Sequence, residues 1–185
     1  IQVYAYQDIN VDGDLAMINS ETFAMPDQNT EFKNYVSELH AMGGGDTPES
    51  GLEVLNNAFS KEDFSIDDGY HRQVVILWTD APYLIGEAYT SLTASMVEEK
   101  WNTLPSGRRL VLFAPSGDGY CSNGGDWDVM DSWTNCIHYT NLYDSFNNMV
   151  VSIDAIIDEL TSGDKAKYVR QNKARTKVKV VNTPN

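Results

Sequence analysis

The sequence predicts an α/β fold, a doubly wound and mostly parallel sheet flanked by helices, on three observations. Strand-like and helix-like stretches follow one another as β, β, α, α, β, α, β, α. The run Val74-Val75-Ile76-Leu77-Trp78-Thr79 is almost wholly apolar, as strands covered on both faces are. Near the end, Phe146, Met149, Val150, Ile153, Ile156, Ile157 and Leu160 recur at helical spacing over about Leu142–Leu160. With 185 residues, 42% of them hydrophobic, the chain can bury one core. The expected organisation is one domain over residues 1–163 and a basic C-terminal extension over 164–185.

Taken in order, Ile1, Val3 and Ala5 alternate with polar or amphipathic residues and predict a first strand. Leu15–Phe23 then returns as a second. Thr30 is placed to cap a helix over Glu31–Ala41, with Phe32, Tyr35, Val36 and Leu39 as its buried stripe, while His40 reads as a surface histidine. Leu52, Leu55, Ala58 and Phe59 give the next helix its inner face. After the apolar strand come a helix over about Glu87–Trp101 and a strand over Arg109–Ala114. The stretch from Pro115 to about Thr140 predicts a long loop, which in a compact domain either has a task or conceals small elements. Its aromatic residues (Tyr120, Trp127, Trp133, Tyr139) beside several aspartates suit either recognition of a partner or a local cap over the core. Thr176–Val181, alternating Lys with Val, predicts an edge strand.

Formal net charge is -14. It is unevenly spread: residues 1–163 carry 26 acidic against 6 basic side chains, and residues 164–185 carry 1 against 7. Such an acidic body argues against nucleic-acid binding, which leans on basic patches. No apolar run is long enough for a membrane-spanning helix. Cys121 and Cys136 are expected to pair, closing a loop and stabilising the fold by about 3 kcal/mol. That pairing would place the chain in an oxidising compartment. Two free thiols are the alternative.

Two stretches carry oxygen-rich chemistry. In Gly43-Gly44-Gly45-Asp46-Thr47-Pro48-Glu49-Ser50, Thr47 is expected to cap a helix, with Pro48 at its first position and Glu49 in its first turn. The strand at Val74–Thr79 then delivers Asp80 into a loop. A hydroxyl at a helix start and a carboxylate at a strand's C-terminal end together make a candidate site for a hard divalent cation, with Asp46 as a further ligand or outer-shell acceptor. Separately, Asp8, Asn10, Asp12 and Asp14 have the opening spacing of a calcium loop, with Gly13 for the bend. That pattern lacks the closing bidentate glutamate, and a polar hairpin turn fits the same residues.

The segments "AMGGGDTPESGLEVL" and "RQVVILWTDAPYL" resemble the second and third parts of the metal-ion-dependent adhesion site of the von Willebrand factor type A domain family. The resemblance covers about residues 1–115, and the final helix loosely. It implies that Thr47 and Asp80 help to hold Mg²⁺, or Mn²⁺ or Ca²⁺, whose open position a partner's acidic group completes. The family's first motif, Asp-x-Ser-x-Ser, is absent from the sequence, so the family's first strand and helix are expected to be missing from the domain. That strand is expected to come from another piece of the protein or another subunit, or Thr176–Val181 fills its place. A domain without metal is the remaining account.

The function expected from these readings is a non-enzymatic adhesion or protein-binding module, extracellular or on the cell surface. It would engage a protein, extracellular-matrix or glycan ligand through a divalent cation. A structural or filament subunit assembling by strand pairing is the alternative. A hydrolase has less support, because no histidine pairs with a serine or cysteine in the sequence.

Overall fold

A computed structural model describes residues 1–13, 16–40, 47–66, 73–117 and 122–140. The expected final helix, the basic extension and its Lys/Val strand, together with Asp14, Asp46, Tyr120 and Cys121, lie outside these residues. Within them the chain is α/β: a parallel sheet packed against helices.

The chain opens with β1 (Tyr4–Tyr6), a single helical turn α1 (Ile9–Asp12) and β2 (Met17–Asn19). β1 and β2 pair antiparallel with Ala5 opposite Ile18, so the return strand expected within Leu15–Phe23 forms over Met17–Asn19. Next come α2 (Asn29–Glu38), α3 (Gly51–Phe59) and β3 (Val74–Trp78). They are followed by β4 (Tyr83–Leu84), α4 (Ala94–Thr103) and β5 (Arg109–Phe113). β6 (Gly124–Gly125), a 3₁₀ helix over Trp127–Ser132 and β7 (Cys136–Tyr139) complete the described elements. β3, β5 and β7 form one sheet in that order, both pairings parallel, with Ile76 opposite Val111 and Val111 opposite Ile137. β4 and β6 form a small antiparallel pair.

The core lies between this sheet and the helix pair α3 and α4. Leu52, Leu55, Ala58 and Phe59 of α3 pack with Val97 and Trp101 of α4 and with Leu77, Leu110 and Leu112 of the sheet. The side chains expected to form the inner face of α3 are all buried. Arg108 is buried beside the end of α4. Its guanidinium lies over the Trp101 ring and donates to the carbonyls of Leu104, the C-cap of α4, and of Pro105 just beyond it. Burial, and then the neighbouring Arg109, lower its pKa from the ordinary arginine value.

Several expectations are corrected. α3 does not begin at Thr47: its N-cap is Ser50, because Glu49 is held in a parallel bridge to Tyr83 and cannot enter the helix. Ser50 does not cap with its side chain either, since its hydroxyl accepts the Ile9 N–H at 2.9 Å. α4 starts at Ala94 rather than near Glu87. The Thr93 hydroxyl accepts the Met96 N–H there, and the preceding residues turn at Gly86, whose φ is 95°. α2 has no fully buried residue, and Val36 is exposed. β3 is an edge of the described sheet rather than a strand covered on both faces: Leu77 points into the core, but Ile76 is 46% and Trp78 42% exposed.

The long loop contains β6, the 3₁₀ helix and β7. Its tryptophans belong to the core, so the cap reading of this segment holds for them. Trp127 and Trp133 are buried, and the Trp127 ring meets Tyr83 edge to face with centroids 4.9 Å apart. On the opposite face of the sheet, Trp78, Phe113 and Tyr139 stack across three strands, each neighbouring pair 5.1 Å apart.

Two tests follow from this packing. A Cβ at Gly51 would lie 2.6 Å from a Trp127 ring carbon, and the buried indole has no room to retreat. Gly51→Ala should therefore destabilise by about 1–3 kcal/mol, read as a lower urea midpoint at constant slope. Burial, and then the Asp126 carboxylate, raise the Tyr83 pKa above 10.0. The folded state therefore favours the protonated phenol. This contribution is fully present below pH 10 and lost as pH rises through the raised value. Tyr83→Phe should shallow the decline in thermal midpoint above pH 10, leaving the neutral range little changed.

Candidate functional site

The carboxyl edge of the parallel sheet gathers most of the chain's site chemistry, as open α/β sheets do. β3 leads into Thr79 and Asp80. The Thr79 N–H donates to the Phe113 carbonyl, and the Thr79 hydroxyl lies 3.2 Å from both the Ala81 N–H and the Ala81 carbonyl. Just beyond, the Glu49 N–H donates to the Pro82 carbonyl at 3.0 Å and the Leu84 N–H to the Glu49 carbonyl at 3.0 Å. These bonds lay the segment after Thr47 parallel to the segment after Asp80. Thr47 stands two residues before one bridged residue and Asp80 three before the other, and both are exposed. An extended residue advances the chain by at most about 3.6 Å, so each stands within about 11 Å of that bridge.

Charge concentrates there. Burial raises the pKa of the Tyr6 hydroxyl well above the usual phenol value. The nearby Thr79 side chain partly offsets this, and the Glu49 and Asp80 carboxylates push it further up. Two carboxylates, those of Glu49 and Asp80, thus bear on one buried phenol.

Of the residues with calcium-loop spacing, Asp8, Asn10 and Asp12 are described. The buried Asp8 carboxylate accepts the Asn10 N–H at 2.7 Å and the Asn10 side-chain amide at 3.2 Å, capping α1. The Asn10 amide also donates to the Tyr89 carbonyl. Asp12 closes the same helical turn. These contacts build a polar hairpin connection and tie it to the segment before α4.

A second group lies at the same edge, at the ends of β5 and β7. Asp128 and Asp131 sit on the 3₁₀ helix, where side chains three apart are eclipsed, and His138 sits on β7. Ligand atoms from these three residues lie within 4.8 Å of one another. His138 Nδ1 is 2.8 Å from an Asp131 oxygen and 3.7 Å from Asp128 Oδ1. Its Nε2 is 3.0 Å from the Ala114 carbonyl. The other Asp128 oxygen accepts from the Ser116 hydroxyl at 2.7 Å. The two regions share a strut: the Trp127 indole N–H, one residue before Asp128, donates to the carbonyl of Ala81, one residue after Asp80, at 2.8 Å.

Sequence reasoning missed this cluster. In the sequence, the aspartates of this loop read only as acidic neighbours of its aromatic residues, and no histidine pairs with a serine or cysteine. The available signal was the three-residue spacing of the aspartates, which places both on one face of a helical turn. The histidine could not be joined to them without knowing that β7 exists.

The expected disulfide is overturned. Cys136 carries a free thiol, half-buried on β7. Burial, and then the Asp131 charge, push its pKa up to about 12, which keeps the thiol protonated and unreactive at neutral pH. Elsewhere, a groove of about 610 Å³ runs between the C-terminal ends of α3 and α4, at the far end of α3 from Ser50. Lys100 at its wall is already engaged by the Asn56 carbonyl, the Asn56 side chain and the Ser60 hydroxyl.

Among the described residues no helix is long and apolar enough to cross a membrane. No family model, curated protein or solved structure matches the chain.

The free thiol generates a direct test. Adding a reductant should leave the denaturation midpoint unchanged, whereas reduction of a native bond across this loop would lower stability by about 3 kcal/mol. Alkylation of Cys136, read by peptide mass, should require unfolding but no reductant.

Proposed function

We propose that the chain is a non-enzymatic binding domain of the von Willebrand factor A type, acting outside the cell or at its surface. In this reading it engages an acidic group of a protein, matrix or glycan partner through a divalent cation at the carboxyl rim of its sheet. The observation that carries the reading is the bridge between Glu49 and Tyr83, which brings the Thr47 segment alongside the Asp80 segment. Thr47 and Asp80 would hold the ion. Magnesium supplies an electrophilic centre with exchangeable positions, and two protein oxygens leave most of those positions to water and to ligand. Other ligands would come from a segment beyond these two motifs, as the resemblance implies. Asp46 would reinforce Thr47 from the adjoining position.

Among the described residues, neither nitrogen of the His138 ring is paired with a hydroxyl or thiol. Its two nitrogens face a carboxylate and a backbone carbonyl. Acidity of the body suits cation capture and disfavours polyanionic partners.

The experiment is a calorimetric titration of the full chain with Mg²⁺, paired with retention on immobilised matrix proteins with and without chelator. Asp80→Ala should weaken magnesium binding at least about tenfold and abolish chelator-sensitive retention, while Asp131→Asn leaves both in place. Magnesium binding that ignores the loss of Asp80 would overturn the assignment.

A further inference from the structure

We propose that Asp128, Asp131 and His138 form a separate metal site, built for a first-row transition-metal dication of the zinc type rather than for magnesium. The first support is the set of partners around the imidazole. A backbone carbonyl only accepts, so Nε2 donates its proton to the Ala114 carbonyl. Nδ1, the other ring nitrogen, is aimed at an Asp131 oxygen at 2.8 Å and at Asp128 Oδ1 at 3.7 Å. Two carboxylates converging on one imidazole nitrogen are ligands that a dication can hold together in place of a ring proton.

The second support is burial. The His138 side chain is only 3% exposed, and Asp128 Oδ1, which faces it from a side chain 37% exposed, is itself buried and finds no hydrogen-bond donor among the described residues. The other Asp128 oxygen is held by Ser116. A buried carboxylate oxygen without a donor is costly, and a bound cation removes that cost. The carbonyl behind the imidazole does what second-layer partners of metal-bound histidines do: it fixes the tautomer and aims the free nitrogen.

The third support is reach. Ligands bound tetrahedrally at about 2.1 Å from a zinc ion lie roughly 3.4 Å from one another. The separation of 3.7 Å between His138 Nδ1 and Asp128 Oδ1 already fits that spacing. The 2.8 Å contact to Asp131 must open slightly, and Asp131, with its side chain 57% exposed, is the ligand free to move. One imidazole and two carboxylates leave a fourth position for water. An imidazole nitrogen in the set favours zinc, cobalt or nickel over magnesium, which takes oxygen donors.

The test is calorimetric titration of the full chain with Zn²⁺ in excess Mg²⁺, with Co²⁺ absorption in the visible as a second readout. One equivalent of Zn²⁺ should bind, and Co²⁺ should give the intense bands of a four-coordinate nitrogen–oxygen site. Asp131→Asn, at an exposed position that does not endanger folding, should weaken Zn²⁺ at least about tenfold, and His138→Gln more. Asp80→Ala should leave Zn²⁺ binding unchanged, which separates this site from the rim site proposed above. In ring-nitrogen NMR, Zn²⁺ should move the His138 Nδ1 signal and leave the Nε2 proton in place. Zn²⁺ affinity no better than that for Mg²⁺, affinity indifferent to Asp131→Asn, or a His138 ring that does not respond to Zn²⁺ would each overturn the proposal.

Discussion

The geometry of the carboxyl edge depends on how the chain leaves β3. Between Thr79 and Leu84 every residue except Asp80 is fixed by a named partner. Thr79 continues the ladder to Phe113, and the Ala81 carbonyl receives the Trp127 indole. The Pro82 carbonyl receives the Glu49 N–H. Tyr83 and Leu84 pair with Gly125 and Gly124, and the approach at Gly125 is so close that any Cβ would collide with the Tyr83 ring. One short segment thereby joins three others: the lead into α3, the 3₁₀ helix and β6. Asp80 is the residue left facing water.

That arrangement explains why charge collects here without destabilising the fold. The apolar demand of the region is met by Tyr83, Trp127 and the inner face of α3, and the carboxylates stand on backbone already satisfied by hydrogen bonds. Asp8 is the buried exception, and its charge is absorbed by the N–H and amide of Asn10. At the end of β5 the Ser116 hydroxyl and the His138 ring meet the carboxylates of Asp128 and Asp131.

The fold was legible where periodicity was strong and partners were local. α3 is readable because Leu52, Leu55, Ala58 and Phe59 mark one helical face, and β3 and β5 because their apolar runs end at polar residues. The start of α3 was not readable, since Thr47-Pro48-Glu49 is a good helix opening on local chemistry alone. A long-range pairing with Tyr83 overrides it. β7 was hidden for a different reason: Cys-Ile-His-Tyr is four residues in a stretch rich in Gly and Asp, and its pairing with β5 is visible only in three dimensions. The entry to β7 is set by Asn135, whose φ of 62° is a conformation asparagine tolerates better than most residues. Of the candidate site, the two segments holding Thr47 and Asp80 were legible as motifs. The trio of Asp128, Asp131 and His138 was not, because its members meet only once a turn and a strand have packed together.

The segment from Ser116 to Tyr139 also shows why a cross-link was the wrong device to expect. A disulfide across such a loop would contribute about 3 kcal/mol by restricting the unfolded chain. Trp127, Met130 and Trp133 are each almost wholly buried, and full burial of a large apolar side chain contributes roughly 1.5–3 kcal/mol. Three such side chains in one turn and its exit match or exceed the covalent alternative, even allowing for the compactness of real unfolded chains. They also do what a cross-link at residue 136 cannot. By seating residues 127, 130 and 133 inward, the 3₁₀ helix leaves residues 128 and 131 turned the other way, toward His138. The packing that stabilises the segment is therefore the same packing that assembles the cluster.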